Sequence, residues 1–113
     1  MPMIDARFSV SMSPAQEQEL KTRLGKAIEC IPGKNESWLM IGLTPDACLY
    51  FRGEKGPAAW VEVSVFGGDS ESGYAAMTAE VCRIFEEFLG IPADRVYVRY
   101  GSTRYWGWNG GNF

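Results

Sequence analysis

This chain contains no histidine. That absence removes the commonest general base, the commonest metal ligand and every Ser-His or Cys-His nucleophilic pair. Its three cysteines, Cys30, Cys48 and Cys82, are odd in number and lack the CxxC spacing of a redox or zinc site. They read as reduced, small, buried side chains in a cytosol. No run approaches the roughly 18 to 20 apolar residues of a membrane span, and the first thirty positions hold no basic leader followed by an apolar stretch. Positive charge is also scarce. With 11 Lys and Arg against 14 Asp and Glu, the net charge of -3 argues against nucleic acid and membrane as partners.

What is present is enough for one ordered domain. A chain of 113 residues that is 46% hydrophobic and 22% charged supports a single core, and the domain is taken as residues 1–113. From Met3 to Val10 the apolar positions Ile4, Ala6, Phe8 and Val10 alternate with Asp5, Arg7 and Ser9, the period of a strand with one buried face. Ser13, Pro14 and Gln16 form a capping-box pattern with proline at the first helical position. Leu20, Leu24, Ala27, Ile28 and Ile31 follow at helical spacing, and Gly33 is expected to end that helix. Trp38 to Ile41 reads as a buried second strand, and Cys48 to Phe51 as a hairpin arm.

The second half repeats the plan. Val61, Val63 and Val65 alternate after Pro57. A Gly67-Gly68-Asp69-Ser70 turn opens a helix carrying Tyr74, Met77, Val81, Ile84, Phe85 and Phe88. Gly90 ends it, and a strand follows from Arg95 to Tyr100. Ser9-Val10 answers Ser64-Val65, and Ile31-Pro32 answers Ile91-Pro92, in the same order. This predicts an α+β fold built as a tandem β-α-β repeat, each unit a right-handed crossover joining parallel strands. The main sheet has four strands, with both helices on one face. The other face and two edges stay uncovered, so self-association is expected. The tail from Arg104 to Phe113 is too rich in aromatics for a free end and is expected to line an interface or pocket.

Pro2 is the residue with the most chemical consequence. Removal of Met1 would leave a free secondary amine, which is a base and a nucleophile where an amide is neither. An α-amino group has a pKa of about 7.7 to 8.0, so a pocket that lowered it by about two units would leave about nine tenths of it unprotonated at neutral pH. Burial plus one nearby cation is sufficient for that.

Pro2, the β-α-β repeat, the run Ile91-Pro92-Ala93-Asp94-Arg95-Val96-Tyr97-Val98 and the terminal Gly107-Trp108-Asn109-Gly110 together resemble the macrophage migration inhibitory factor family of the tautomerase superfamily. The resemblance covers nearly the whole chain. It implies a homotrimer whose three sheets wrap into a central barrel, active sites at subunit boundaries, and neither metal nor organic cofactor. In that pattern Pro2 matches the catalytic base. Lys34 matches the lysine that holds the substrate carboxylate and keeps the prolyl pKa low. Ser64, Val65 and Phe66 lie where the family has a Ser-Ile pair, with Phe66 widening an aromatic wall. Tyr97 matches an active-site tyrosine contributed across the subunit boundary. Trp108 belongs to the aromatics that exclude water. Arg99 falls where many members have asparagine, and an added cation there would strengthen carboxylate binding. Relatives with additional arginines perform hydration, dehalogenation or decarboxylation. The CxxC of some cytokine members has no counterpart, since Ala58 and Val61 occupy those positions.

The activity implied is keto-enol tautomerisation of a small α-keto acid, of the phenylpyruvate tautomerase type, with Pro2, Lys34 and Tyr97 catalytic and Ser64, Phe66, Arg99 and Trp108 binding substrate. A second reading from another class is a cytokine-like signalling or binding protein with a vestigial pocket and a protein receptor. Placement is cytoplasmic, with non-classical secretion left open. Because everything turns on the free amine, the intact mass of the purified protein is expected to fall short of the full sequence by one methionine residue. A full-length mass would remove the base.

Overall fold

The alternation at the N-terminus does form a strand. In the computed structural model, which describes residues 1–113, β1 spans Pro2–Phe8, and Ile4, Ala6 and Phe8 are fully buried while Arg7 faces outward. Helix α1 (Pro14–Ala27) begins with both arms of the expected capping box: Gln16 N–H donates to Ser13 Oγ at 3.1 Å, and Ser13 N–H to Gln16 Oε1 at 2.8 Å. The chain then continues as β2 (Met40–Thr44), a hairpin of β3 (Tyr50–Phe51) and β4 (Glu54–Lys55), and β5 (Ala59–Phe66). Helix α2 (Glu71–Leu89), β6 (Val96–Thr103) and a terminal hairpin of β7 (Gly107–Trp108) and β8 (Gly111–Asn112) complete it.

Four strands form the main sheet in the order β2-β1-β5-β6. β1 runs parallel to β2, β5 parallel to β6, and β1 antiparallel to β5, so two β-α-β units meet back to back at the centre. Both helices lie on one face. Leu20, Leu24, Ala27 and Ile28 of the first helical segment join Met77, Val81, Ile84 and Phe85 of α2 over Ile4, Phe8, Val61, Val63 and Val65 in one buried cluster. The Phe8 and Phe85 rings meet edge to face at 5.7 Å. The opposite face carries Asp5, Arg7, Trp60, Glu62, Ser64, Tyr97 and Arg99 and has no covering layer within the chain. No helix is long and apolar enough to cross a membrane.

Local differences from the sequence reading have physical causes. The first helix ends at Ala27 and tightens into a 3₁₀ turn over Ile28–Cys30, before Gly33 is reached. Ile28 and Ile31 stay buried through this tighter winding. Trp38 is not in a buried strand: it ends a 3₁₀ turn over Glu36–Trp38, and the strand that follows lies at the sheet edge with Met40 exposed. Cys48 is exposed rather than buried, because its segment crosses the surface, held by Asp46 N–H to Val10 O and Ala47 N–H to Phe8 O. The second helix ends as expected, with Gly90 in the left-handed region at φ 66°.

Replacing Phe85 by alanine is expected to lower the free energy of unfolding by about 3 to 5 kcal/mol, through lost burial and the cavity left behind. Glu19→Ala on the exposed face of α1 should stay within about 0.5 kcal/mol of the parent. Urea denaturation at one fixed protein concentration measures both.

Candidate active site at the amino end of the sheet

The central antiparallel pairing decides where the N-terminus goes. Pro2 lies opposite Val65, which carries the end of β5 past the start of β1. The next pair closes with Phe66 N–H donating to Met1 O at 2.9 Å. Pro2 itself is buried, and Val65 is 1% exposed. Lys34 enters from the turn after the first helical segment, where its N–H donates to Ile31 O at 3.1 Å. Its ammonium donates to Phe66 O at 2.7 Å. The Phe66 backbone is therefore held at both of its polar groups, its N–H by Met1 O and its carbonyl by the Lys34 ammonium.

The terminal amine responds to this setting. That amine is carried by Met1, one residue before Pro2, and burial, with the Lys34 charge second, lowers its pKa below the ordinary value. Both act in the same direction, because each penalises the protonated form.

An aromatic wall stands beside this cluster. Phe66 meets Phe113 at 5.6 Å, Phe113 stacks with Trp108 at 6.3 Å, and Trp108 meets Trp38 edge to face at 5.1 Å. Asn109 and Gly110 both take positive φ, 51° and 81°, as a two-residue hairpin turn requires. That turn, with Phe113 N–H donating to Trp106 O at 3.0 Å, folds the tail back over the site. The tail is thus packed rather than free, although it lines none of the three concavities of the single chain. Sequence reading missed Trp38 as a member of the wall and had Phe113 only as part of the aromatic tail. Asn35, whose side chain accepts the Ser37 N–H at 2.8 Å, was the signal that a turn rather than a strand presents Trp38.

Pro2, Lys34, Phe66 and Trp108 thus gather at one end. Ser64 is one register step away, opposite Met3, and points its exposed side chain to the uncovered face. Tyr97 and Arg99 do not join them within one chain. Tyr97 pairs across the sheet with Trp60, itself opposite Arg7. That is five residues along β1 from Pro2, about 17 Å at strand rise. Arg99 lies in the row of Glu62 and Asp5, about 10 Å along. Its Nη1 sits 3.5 Å from Glu62 Oε2. Tyr97 contacts the rings of Phe51 and Trp60 at 5.3 and 6.4 Å and lines a concavity of about 310 Å³ with Arg7 and Arg95. None of the three concavities of the single chain is lined by Pro2 or Lys34.

Two parallel β-α-β units joined antiparallel, with the amino end beside a lysine and an aromatic wall, define a protein of the tautomerase superfamily. The macrophage migration inhibitory factor family model matches residues 1–113, and the chain belongs to that family. The macrophage migration inhibitory factor of Xenopus laevis is 28% identical over 118 residues, covering 100% of this chain and 99% of that protein. The crystal structure of Leishmania major MIF2 superposes with a TM-score of 0.93 at 34% identity, covering 100% of this chain and 97% of the other. A macrophage migration inhibitory factor homologue from Prochlorococcus marinus follows with 0.81 at 33%, covering 98% of each.

In the chain that retains Met1, replacing Lys34 by alanine is expected to raise the pKa of the Met1 amine. The value should remain below the ordinary one, since burial is the larger cause. A pH titration of the ¹⁵N-labelled amine reads this directly, and an unchanged pKa would show that the Lys34 charge does not reach the amino end of the chain.

Proposed function

We propose that this protein is a keto-enol tautomerase for small α-keto acids, of the phenylpyruvate type, with the Pro2 nitrogen as base and then acid once Met1 has been removed. The observation that carries the reading is the convergence of Pro2, the Lys34 ammonium and the Phe66 backbone at the start of β1, where the same surroundings lower the pKa of the Met1 amine one residue away. In the ketonising direction the Pro2 nitrogen takes the enol O–H proton. The oxygen electron pair re-forms the C=O, and the C=C pair accepts the proton back from the prolinium at carbon. Each bond broken has its counterpart, and no other reactant is needed.

The chain's own groups suit each part of this. Lys34 supplies positive charge for the carboxylate and for negative charge developing on oxygen. Excision of Met1 would also remove the carbonyl that accepts the Phe66 N–H, leaving a free backbone donor at the same place. Phe66, Trp108, Phe113 and Trp38 offer apolar surface for an aryl group and limit water, which strengthens the Lys34 field.

The family resemblance supplies the remainder of the reading: a homotrimer in which Tyr97 and Arg99 of one protomer complete the site of the next. The lack of any concavity at Pro2 in the single chain supports it, as does the uncovered sheet face. In this arrangement Tyr97 hydrogen-bonds the substrate, Arg99 engages its carboxylate, and Ser64 borders the cleft.

A second reading, a signalling or binding protein of the family whose pocket is unused, draws on that same missing concavity, since a single chain has nowhere to hold a substrate. Pro2→Gly separates the two. We expect the variant to lose about 10² to 10⁴ in turnover of phenylpyruvate enol while keeping its oligomeric mass. Undiminished turnover would remove Pro2 from the mechanism. Lys34→Ala should shift the rising limb of kcat/KM to higher pH, because the amine then holds its proton longer.

A further inference from the structure

We infer that Glu62 sets the site's preference for carboxylate-bearing substrates by occupying Arg99 inside its own chain. The inference rests on the tautomerase reading above, in which Arg99 meets substrate at the neighbouring protomer's proline. Glu62 is central to the uncovered face. Its Oε1 accepts from the Trp60 indole N–H at 2.9 Å, and its Oε2 lies 3.5 Å from Arg99 Nη1. Arg7 Nη2 approaches Oε1 to 3.9 Å. The face alternation of β5 puts Trp60 and Glu62 on one side, and the register puts Asp5, Glu62 and Arg99 in one row across three strands. Arg99 therefore meets the Glu62 carboxylate of its own sheet before it meets any ligand.

The grip is weak by geometry. Only one guanidinium nitrogen takes part, at a distance well beyond the 2.7 to 2.9 Å of a strong charge-assisted bond. Arg99 keeps 65% of its side-chain exposure and Glu62 34%, so solvent screens the pair. The remaining guanidinium donors stay free for a second carboxylate. An incoming substrate anion must share Arg99 with Glu62, whereas a neutral carbonyl substrate meets no such competition. Glu62 touches no substrate in this account. It is a specificity-determining residue acting through Arg99, and its indole contact holds Trp60 beside Tyr97.

Glu62→Gln tests this, because the amide oxygen can still accept the Trp60 indole proton while the charge is lost. We compare kcat/KM for phenylpyruvate and for its methyl ester in the parent, E62Q, R99A and the double variant, using the full chain. Taking the acid-to-ester ratio cancels any difference in the amount of folded enzyme. E62Q is expected to raise that ratio about two- to fivefold, mainly through KM, the range an exposed ion pair supports. R99A should lower it, and adding E62Q to R99A should give no gain. A ratio unmoved by E62Q, or a gain that persists without Arg99, overturns the inference while leaving the tautomerase reading intact. Parent protein that turns over neither compound overturns that reading, and this inference with it.

Discussion

The antiparallel register between β1 and β5 is the constraint on which the remaining features depend. It joins two halves that are each complete as parallel units, and it brings the end of one strand against the beginning of the other. Pro2 opposite Val65 and Phe8 opposite Ala59 leave no freedom of registration. A slip by one residue would turn Ile4, Ala6 and Phe8 to the uncovered face and bury Asp5 and Arg7 instead. The hydrophobic effect that fills the core thus also decides which backbone groups surround the amino terminus.

From that register the electrostatics follow. The terminal amine, the Lys34 ammonium and the Phe66 peptide are held by backbone pairing and by a lysine whose own turn is fixed at Ile31. Two cationic groups brought near each other disfavour double protonation, and the amine, being the weaker base, yields its proton first. Partial burial, the larger cause of the lowered Met1 amine pKa, acts in the same direction. The aromatic wall formed by the folded-back tail is a modest addition in hydrogen bonds. It is a large one in apolar surface, and it would keep the local dielectric low around a bound ligand.

The uncovered face has a different character. Its charges are arranged across strands rather than buried, with Glu62 shared between Arg7, Arg99 and the Trp60 indole. Exposed pairs of this kind contribute little to stability. Their effect is on which donors remain available to a ligand or a neighbouring subunit, and that makes the face a place where specificity can change at small cost to the fold.

Much of this was legible in the residue order. The Ser13-Pro14-Gln16 box, the Ser70 cap, Gly90 and the period-two runs each act through neighbours a few positions away, so one-dimensional pattern was sufficient to place both helices and the central strands. The family pattern in the sequence also singles out Pro2, Lys34, Phe66 and Trp108. The edge position of β2, the turn that presents Trp38, the return of Phe113 to Phe66 and the capture of Arg99 by Glu62 were not readable in that way. Each depends on groups far apart in the chain, and local propensity carries no information about which distant strand or ring will be the neighbour. Sequence alone determined the two repeating units and the chemical identity of the amine and lysine. Tertiary structure decided that these meet at one end of the sheet while Tyr97 and Arg99 lie farther along it, because strand pairing converts sequence distance into position only after the register is set.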